Sequence, residues 1–554
     1  MNQTKSKLKI VMVILALSML PGISFTSHAA YITIHNDFFW YDTSGNLIQT
    51  RSGCLRQFNG LYYWYGSLPG AIDQTCYSST DLVHWTYKGV ALVTAVESNR
   101  MDVLYCDSTK QYVMFLKYNG NGAYLGIATA TAPEGPFTFI SQTLVDSALI
   151  GDMSMFKDDD GKAYLAYVWW GTGTNRAHGI YRMSADYLTL DTRMYLWNIP
   201  SREAPHIFKR NGIYYYGTSR TDGINPSATE YYMATNLAGP WSAAYTLETP
   251  GSTTSYATQC DFVFPFQGTQ GTVYMYDGDR WLPTGGSQGD YVWLPMEFND
   301  SGVPTMNYYQ DWDLNLTTGT WSPFNYSNNL ALHKTATASS VSGADSASNV
   351  TDSTTYLNYT NYLWESAASD PQWIMVDLDA LTTINRVILK WDSAYAKAFQ
   401  IQVSTNSTAW TNVYSTTKGA SYSVTDVTFP SASARYIRMY GTQRGTVNGY
   451  SLFSFMVLND STTTPIAFKT AQLPIPSKRS LSFQNNRVHY FIPNGTSVKL
   501  EVFDVRGKQV AVLVDWFQGA GSHEVALSDK LGRGLYVFRL TAGREKLITM
   551  QFKL

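Results

Sequence analysis

Charged residues are scarce in this chain, and neither sign of charge dominates. Lys, Arg, Asp and Glu make up 15% of its 554 residues, and the formal net charge is -2. Because no basic excess is available to pair with phosphate groups, we do not expect a nucleic-acid partner. Aromatic residues, in contrast, also reach 15%. Flat rings suit the apolar C–H faces of sugars, although any strand-rich protein shows a similar excess.

Cysteine is sparse as well, and no metal-binding spacing accompanies it. Neither Cys-x-x-Cys nor His-x-x-x-His occurs, so a zinc or haem site is not expected. If the protein is exported, its four cysteines allow three disulfide pairings that the sequence does not separate. Small buried thiols are the alternative. These cysteines are Cys54, Cys76, Cys106 and Cys260.

Long apolar runs are missing, and the one near the start is short. Residues 10–20 are apolar, follow three lysines and precede Pro21-Gly22 and the small pair Ala29-Ala30. A basic segment, a short apolar core and a small-residue exit are the three parts of a secretory signal peptide. The run is too short to cross a bilayer. We therefore expect residues 1–30 to be a signal peptide and the protein to be secreted or held at the cell surface.

One aromatic element recurs through the first three hundred residues. Turns such as Asn59-Gly60 and Asn211-Gly212 precede several copies, so each unit is predicted to be a hairpin feeding an aromatic strand. A period near 50 with several strands per unit is typical of a β-propeller with one blade per repeat. Five repeats predict five blades over residues 31–325. The marker residues are Tyr62, Tyr112, Tyr164, Tyr214 and Tyr274.

Polar residues stand at similar places before three of these markers. Asp152, Glu203 and Gln259 precede their marker tyrosines by 12, 11 and 15 residues. Equivalent positions on the innermost strands of a propeller surround one central channel. These three side chains are therefore expected to converge on one site.

An ordered set of motifs runs through the same units. The motifs are Trp40-Tyr-Asp-Thr-Ser-Gly-Asn-Leu-Ile-Gln, Tyr62-Tyr-Trp-Tyr-Gly, Tyr112-Val-Met-Phe, Asp152-Met-Ser-Met-Phe, Glu203-Ala-Pro, Asp279-Arg-Trp and Tyr291-Val-Trp-Leu-Pro. Through them, residues 37–295 resemble glycoside hydrolase family 43, most closely its exo-β-1,3-galactanase branch. The resemblance implies an inverting glycosidase that acts on β-1,3-galactan or arabinogalactan.

The resemblance also implies roles for the three polar residues. Glu203 would be the general acid, and ionised Asp152 would orient it and raise its pKa by like-charge repulsion. Gln259 would position the attacking water, with its exact role open. Most of the family supplies an Asp base near the start of the first blade, where this sequence has Ile48-Gln-Thr-Arg-Ser-Gly. An arabinofuranosidase or xylosidase depends on that Asp and is therefore disfavoured.

Two further departures bear on the substrate. Arg51-Ser52-Gly53 replaces a His-Gly-Gly of the galactanase branch, and Asn99 replaces a sugar-contacting Glu. A propeller lectin that binds glycans without cleaving them is consequently the alternative to a glycosidase. The candidate sugar contacts are Tyr124, Thr221, Trp281 and Asn99, and core packing is the rival explanation for Tyr124 and Trp281.

A second domain is predicted over residues 326–460. Asn329-Leu-Ala-Leu-His-Lys, Trp364-Glu-Ser, Gln372-Trp-Ile-Met-Val-Asp-Leu and Arg435-Tyr-Ile-Arg-Met-Tyr resemble a discoidin-like domain of the coagulation factor 5/8 C type, the fold of carbohydrate-binding module family 32. Apolar and polar residues alternate as in a jelly-roll β-sandwich. Such domains often hold a structural calcium ion, but a late Glu of the pattern is Ser454 here. We therefore expect no metal and no cofactor.

The end of the chain resembles a third kind of domain. Residues 461–480 are a linker rich in Thr and Pro, and the strand pattern of residues 481–554 predicts a small immunoglobulin-like β-sandwich. This segment resembles the C-terminal sorting tails of the type IX secretion system, which implies the outer-membrane secretion machinery as a partner. A plain accessory module is the alternative. The whole chain is thus predicted to be all-β: a five-bladed propeller, a jelly roll and a small sandwich.

Overall fold

The computed structural model describes most of the chain. The described residues are 31–68, 72–120, 122–170, 177–223, 225–280, 290–343, 345–352 and 363–460, and 480–553 without 485–486, 493–495, 505–507, 519–520, 527–533 and 543–544. Their regular structure is β-strand, with two short 3-10 helices at Tyr326–Asn328 and Ala347–Thr351. The predicted all-β class is confirmed. The expected signal peptide and almost all of the expected linker lie outside the described residues.

The first strand, β1 (Tyr31–His35), precedes five four-stranded antiparallel sheets. The first sheet is β2 (Arg51–Phe58), β3 (Leu61–Ser67), β4 (Asp73–Ser79) and β5 (Thr86–Val93). The second is β6 (Ser98–Cys106), β7 (Gln111–Tyr118), β8 (Tyr124–Ala130) and β9 (Thr138–Thr143). The third is β10 (Leu149–Lys157), β11 (Ala163–Trp170), β12 (Ala177–Met183) and β13 (Leu190–Asn198). The fourth is β14 (Arg202–Arg210), β15 (Ile213–Arg220), β16 (Glu230–Ala234) and β17 (Tyr245–Thr246). The fifth is β18 (Gln259–Gln267), β19 (Thr272–Asp279), β20 (Tyr291–Phe298) and β21 (Pro304–Met306).

These five sheets form a closed ring. The first strand of each sheet contacts the first strands of both neighbours, and β18 of the fifth sheet contacts β2 of the first. One hydrophobic cluster packs between each neighbouring pair of sheets. The cluster that closes the ring joins Leu55 and Trp64 of the first sheet to Phe262, Met275 and Trp293 of the fifth. Burial of these aromatic faces between sheets is the main stabilising contribution here.

The predicted hairpins and aromatic strands are confirmed. Each marker tyrosine lies on the second strand of its sheet. Asn59 and Gly60 have φ of 52° and 81°, and Asn211 and Gly212 have 50° and 78°. Two consecutive positive φ values are what a two-residue hairpin turn requires, and Asn-Gly supplies them at low cost. The four cysteines are buried free thiols, so the alternative to disulfide pairing is the one observed.

The segment after the fifth sheet returns to the start of the chain. Strands β22 (Asp311–Asn315) and β23 (Thr320–Pro323) form a three-stranded sheet with β1, which lies at its edge. Ile32 pairs with Leu314 and Ile34 with Trp312 in the antiparallel register. This sheet ties the first described strand to the residues that lead into the second domain.

The second domain is one seven-stranded sheet wrapped around a single core. Its strands are β24 (Thr335–Ala338), β25 (Trp364–Glu365), β26 (Gln372–Trp391), β27 (Ala396–Ser404), β28 (Thr411–Thr416), β29 (Val424–Arg444) and β30 (Ser451–Leu458). The two longest strands, β26 and β29, pair along their length with register shifts, so the sheet bends back over itself. Trp364, Trp391 and Phe399 fill the space inside. The arrangement fits a discoidin-like β-sandwich.

The first two domains share a buried interface. Phe324 packs with Ile388, Met456 and Leu458 of the second domain, and Phe38 packs against Phe453. Lys390 of β26 forms an ion pair with Asp311 of β22, and both side chains are 1% exposed. The second domain is therefore joined to the first through a common core and a buried charge pair.

The last segment forms two further sheets around a separate core. Its strands are β31 (Ser480–Gln484), β32 (Arg487–Ile492), β33 (Thr496–Asp504), β34 (Gln509–Gln518), β35 (Gly521–Ala526), β36 (Gly534–Ala542) and β37 (Glu545–Lys553). The sheet orders are β31-β32-β35 and β34-β33-β36-β37. Val488 and Tyr490 of one sheet contact Leu500 and Phe538 of the other within one cluster. Two sheets over one core are a small β-sandwich. Over the residues described, we find no helix with the length and apolarity to span a membrane.

Candidate active site

The site is built at five equivalent irregularities in the ring. The first strand of each sheet carries a register shift near its start: between Arg51 and Cys54, Asn99 and Asp102, Ile150 and Met153, Glu203 and His206, and Cys260 and Phe262. A bulge breaks the strand ladder and redirects the side chains around it. Ser52, Arg100 and Ala204 lie in three of these bulges with φ of 51°, 49° and 50°, a sparsely populated region for residues other than Gly. Such backbone is typical of functional sites.

Glu203 and Gln259 contact each other across two of these strands. Glu203 begins the bulge of β14, and Gln259 begins β18. The Gln259 amide Nε2 donates to Glu203 Oε1 at 2.9 Å and to Ser219 Oγ at 3.0 Å. Gln259 is buried, whereas Glu203 is partly exposed. The structure thus brings together two of the three residues that the sequence predicted to converge.

Asp152 joins the same cluster from β10. Its Oδ2 accepts from the backbone N–H of Ala204 at 3.1 Å, which ties it to the residue after Glu203. Its Oδ1 accepts from Lys117 Nζ at 3.0 Å, and Arg100 Nη2 lies 3.3 Å from Oδ2. Asp152 is therefore fixed by one backbone donor and two cations.

Arg100 is the central residue of the cluster, and the sequence analysis missed it. Its Nη2 donates to Gln259 Oε1 at 2.7 Å, and its Nη1 pairs with Asp261 Oδ1 at 2.6 Å. Together with Asp152, it links the second, third and fifth sheets. Lys117, on β7, was missed too. In the sequence, Arg100 stands directly after Asn99, and Lys117 comes five residues after the marker Tyr112. Basic residues are common near such positions, and no local feature distinguishes these two.

The two carboxyls of the cluster titrate in opposite directions. Burial, followed by the nearby charge of Asp152, raises the pKa of Glu203 to about 7. Burial alone would also raise the pKa of Asp152, but Arg100 and Lys117 more than offset it and hold that pKa well below its usual range. At neutral pH, Glu203 is therefore substantially protonated beside an ionised Asp152. One proton donor and one fixed anion are the division of roles that acid catalysis needs.

A second carboxyl cluster lies beneath Arg100, near the channel axis. Oxygen atoms of Asp261, Asp277 and Asp279 lie within 4.8 Å of one another, and all three side chains are buried. The three could hold a cation by geometry. Burial, followed by repulsion from the neighbouring carboxylates, raises the pKa of Asp277 and Asp279 well above the usual range. Asp279 also accepts from the backbone N–H of Ser52 at 2.9 Å. The cluster supports Arg100 and the first-sheet bulge.

Three of the four predicted sugar contacts are among the described residues, and each lies at or next to the end of a strand of the ring. Asn99 is paired with Lys117 in the β6–β7 register, and its buried Oδ1 has no hydrogen-bond partner among the described residues. Thr221 follows the end of β15, and its buried Oγ1 likewise lacks a partner there. Tyr124 begins β8 and is partly exposed. Trp281 lies outside the described residues. Buried polar atoms without partners are the groups that a bound hydroxyl would satisfy.

Two parts of the chain match known families. Residues 53–283 match the family described as Glycosyl hydrolases family 43, and residues 335–455 match the F5/8 type C domain. The chain contains a family 43 glycosyl hydrolase domain. A discoidin-like domain follows it, so both domain resemblances found in the sequence are confirmed.

The family 43 domain is similar to solved structures of an exo-β-1,3-galactanase and to a β-D-galactofuranosidase. An exo-β-1,3-galactanase from Phanerochaete chrysosporium with β-1,3-galactotriose is 25% identical, with a TM-score of 0.50, over 77% of this chain and 100% of that chain. The same enzyme with galactose gives the same values. A β-D-galactofuranosidase, xynD of Aspergillus niger, is 28% identical over 215 residues, 34% of this chain and 62% of the relative. This chain thus spans less than two thirds of that relative's length.

Proposed function

We propose that the chain is an inverting glycosidase that hydrolyses galactose-containing polysaccharide of the β-1,3-galactan or arabinogalactan class. In this proposal the ring of five sheets is a five-bladed propeller, with its site at the channel mouth. The observation that carries the proposal is the cluster in which Asp152 bonds to the backbone of Ala204, next to Glu203, and Gln259 bonds to the Glu203 carboxyl, with the pKa of Glu203 raised and that of Asp152 lowered. The family 43 match and the galactanase-like neighbours support the same assignment.

Glu203 is proposed as the general acid. Gln259 donates to its Oε1, so the acidic proton is placed on Oε2 in this proposal. As the glycosidic C–O bond breaks, this proton passes to the leaving oxygen. A water molecule attacks the anomeric carbon from the opposite ring face and releases one proton to the solvent, the configuration inverts, and Glu203 regains a proton from the solvent after the product leaves. Asp152 keeps the acid protonated by its charge and fixes the bulge through Ala204.

Gln259 is proposed to hold the general acid by a hydrogen bond and also to position the attacking water. Both hydrogens of its amide are engaged, by Glu203 and by Ser219, and Arg100 donates to its Oε1. A carbonyl oxygen has two lone pairs, so Oε1 can accept one more hydrogen bond. That remaining lone pair is the place at which Gln259 could orient the attacking water.

The unsatisfied atoms at the site support a neutral sugar as the substrate. Asn99 Oδ1 and Thr221 Oγ1 are buried acceptors without partners among the described residues. A sugar hydroxyl donates to such oxygens, and leaving them unpaired costs about 1–3 kcal/mol each. Both are uncharged, which suits the neutral hydroxyls of galactose.

A propeller lectin is the second candidate, and a specific observation favours it. Within the described residues, β2 brings no carboxylate to the site: its bulge presents Ser52, whose backbone N–H donates to Asp279. Without a carboxylate base, water activation depends on Gln259, which is already heavily hydrogen-bonded. A site of this kind could bind a galactoside without cleaving it.

One experiment separates the two candidates. Purified full-length protein is incubated with β-1,3-galactan, arabinogalactan, arabinan and xylan, and products are followed by chromatography and by NMR of the anomeric proton. Release of galactose with inverted configuration from the first two supports the enzyme. The matched control is Glu203→Gln, which should bind galactan normally and release nothing. Binding by the wild type without hydrolysis of any of the four supports the lectin.

We also propose that the chain is exported and that residues 481–554 are a sorting domain. The support is the signal-like sequence of residues 1–30 and the two-sheet sandwich at the end of the chain. The discoidin-like domain is proposed to bind carbohydrate. N-terminal sequencing of protein recovered outside the cell tests cleavage near Ala30. Retention of the full-length chain inside the cell would contradict export.

A further inference from the structure

The outer face of the discoidin-like sheet carries an unusual set of side chains. Along β26, Ile374 and Val376 are fully buried in the core, so Trp373 and Met375 point to the other face. Trp373 is partly exposed. An exposed sheet face is ordinarily covered by small polar or charged residues, and a tryptophan there calls for a ligand or a neighbour.

The strand register places more aromatic and polar groups beside Trp373. Tyr440 of β29 is directly opposite Trp373, and Gln400 of β27 is opposite Tyr440. In the next row, Arg438 lies between Met375 and Gln402. Directly opposite residues have their side chains about 5 Å apart. We call this surface the Arg438 face, formed by Trp373, Gln400, Gln402, Trp410, Arg438 and Tyr440.

Arg438 is held rigidly in the middle of this face. Its Nε donates to Gln402 Oε1 at 2.7 Å, and Gln402 Nε2 donates to Gln400 Oε1 at 2.7 Å. The guanidinium carbon lies 4.0 Å from the Trp410 ring centroid and 4.9 Å from that of Tyr440. These contacts fix the plane of the guanidinium, so little conformational entropy is left to lose on binding.

The charge of Arg438 is not compensated. Among the residues that the structure describes, no carboxylate lies within ion-pair distance of it, and its terminal nitrogens have no hydrogen-bond acceptor. Arg435, three residues earlier on the same strand, differs: Asp377 accepts from its Nε at 2.8 Å and from its Nη2 at 2.9 Å. In Arg438 the Nε is already bonded to Gln402, so the pair of donors that it presents is Nη1 and Nη2.

We propose that the Arg438 face binds an acidic polysaccharide, with a uronate carboxylate on Arg438 and a neighbouring sugar ring on Trp373 and Tyr440. A carboxylate can accept two parallel hydrogen bonds from the two terminal nitrogens of a guanidinium, and in Arg438 these are Nη1 and Nη2, while Nε keeps its bond to Gln402. Flat aromatic rings next to the guanidinium accept the C–H face of the adjoining sugar. The Gln400 amide keeps donors for its hydroxyl groups.

This binding face is separate from the proposed catalytic site. It lies on β26, β27 and β29 of the second domain, whereas Glu203 lies on β14 of the ring. None of its residues contacts the Glu203 cluster. Binding at the face and hydrolysis at the ring can therefore fail independently, and each is measured by its own assay.

A matched pair of probes tests the proposal on the full-length protein. The acidic probe is tetragalacturonate, and the neutral probe is the same oligosaccharide with its carboxyl groups reduced. Affinity is measured by titration calorimetry at low salt. We expect the acidic probe to bind at least tenfold more tightly than the neutral one, since charged hydrogen bonds contribute the difference. A higher salt concentration should weaken the binding of the acidic probe but not that of the neutral probe.

Two substitutions of Arg438 and one control substitution of Arg435 locate the binding. Arg438→Gln should lower the affinity for the acidic probe at least tenfold. Arg438→Lys keeps the charge but loses the paired donors, so its affinity should lie between those of the wild type and Arg438→Gln. Arg435→Gln is the matched control and should change affinity less than threefold, because its guanidinium is already paired. Thermal unfolding checks that each variant is folded, and galactan hydrolysis should be unchanged in all three.

Three results would overturn the proposal. The first is equal loss with Arg438→Gln and Arg435→Gln, which would mean attraction by overall charge. The second is equal affinity for the two probes, which would make the face a neutral-glycan surface. The third is the absence of any binding of the acidic probe by the folded wild type.

Discussion

The opposite titration of Glu203 and Asp152 predicts a specific change in the pH–rate profile. Asp152→Asn removes the charge that, after burial, contributes most to the raised pKa of Glu203. It also removes the anion that partly neutralises Arg100 and Lys117, and both of these cations lower that pKa. The basic limb of kcat/KM, which reports the acid in the free enzyme, should therefore move downward by about 1–2 pH units.

The loss of kcat/KM in Asp152→Asn should depend on pH. With a pKa of about 7, Glu203 is roughly half protonated at pH 7. A drop of about 1.5 units leaves roughly 3% protonated at that pH, a loss of about 15-fold from protonation alone. At pH 5 the variant would still be about three quarters protonated, so most of this loss disappears. Any remaining deficit at pH 5 measures the positioning that Asp152 provides through Ala204.

Lys117→Met provides the matched control of opposite sign. Lys117 lowers the pKa of Glu203, so its removal should move the basic limb upward. The assay is kcat/KM on β-1,3-galactan between pH 4 and 9, with thermal unfolding to confirm the fold. A basic limb that stays in place in Asp152→Asn, or that moves the same way in both variants, would refute the electrostatic reasoning.

Three further predictions follow from the same contacts. Gln259→Ala should lower kcat about 100-fold at every pH and move the basic limb slightly upward, because its hydrogen bond lowers the pKa of Glu203; a downward shift would contradict the observed contact. Asn99→Ala should lower kcat/KM about tenfold, the value of one hydrogen bond, without loss of thermal stability, because it removes a buried oxygen that has no described partner; a lower Tm with unchanged kinetics would make Asn99 structural. Asp311→Asn should destabilise the protein by about 3–5 kcal/mol, since it removes the carboxylate that forms an ion pair with buried Lys390, whereas exposed Asp379→Asn, the partner of Lys334, should cost less than about 1 kcal/mol.

The Asp311 prediction also has a pH signature. Burial raises the pKa of Asp311, but Lys390 and His35 outweigh it and hold the pKa below the usual range. A carboxyl with a lowered folded pKa stabilises the protein above its unfolded pKa and loses that contribution as the pH falls. The stability difference between wild type and Asp311→Asn, measured by calorimetry, should therefore shrink in acid. A difference that grows in acid would contradict this pairing.

The sequence by itself determined the elements and their order. The alternation around Trp373, the Asn59-Gly60 turn and the repeated aromatic strands are set by neighbours within a few residues, so a local pattern reveals them. The motif around Glu203 and the matching positions in the repeats sufficed to predict that Glu203, Asp152 and Gln259 meet. Their catalytic roles stay predictions.

Only the tertiary structure decided which groups surround those residues. Arg100 joins Asp152, Gln259 and Asp261, yet it is 161 positions from Asp261 in the chain. Lys390 and Asp311 form a buried ion pair between two domains, whereas the sequence shows these domains only as successive segments. Arg435 and Arg438 look alike in the sequence, but only one has a carboxylate opposite it. Ion pairing and burial depend on distances through space, which a one-dimensional pattern does not contain, whereas turns and strands depend on contacts along the chain, which it does.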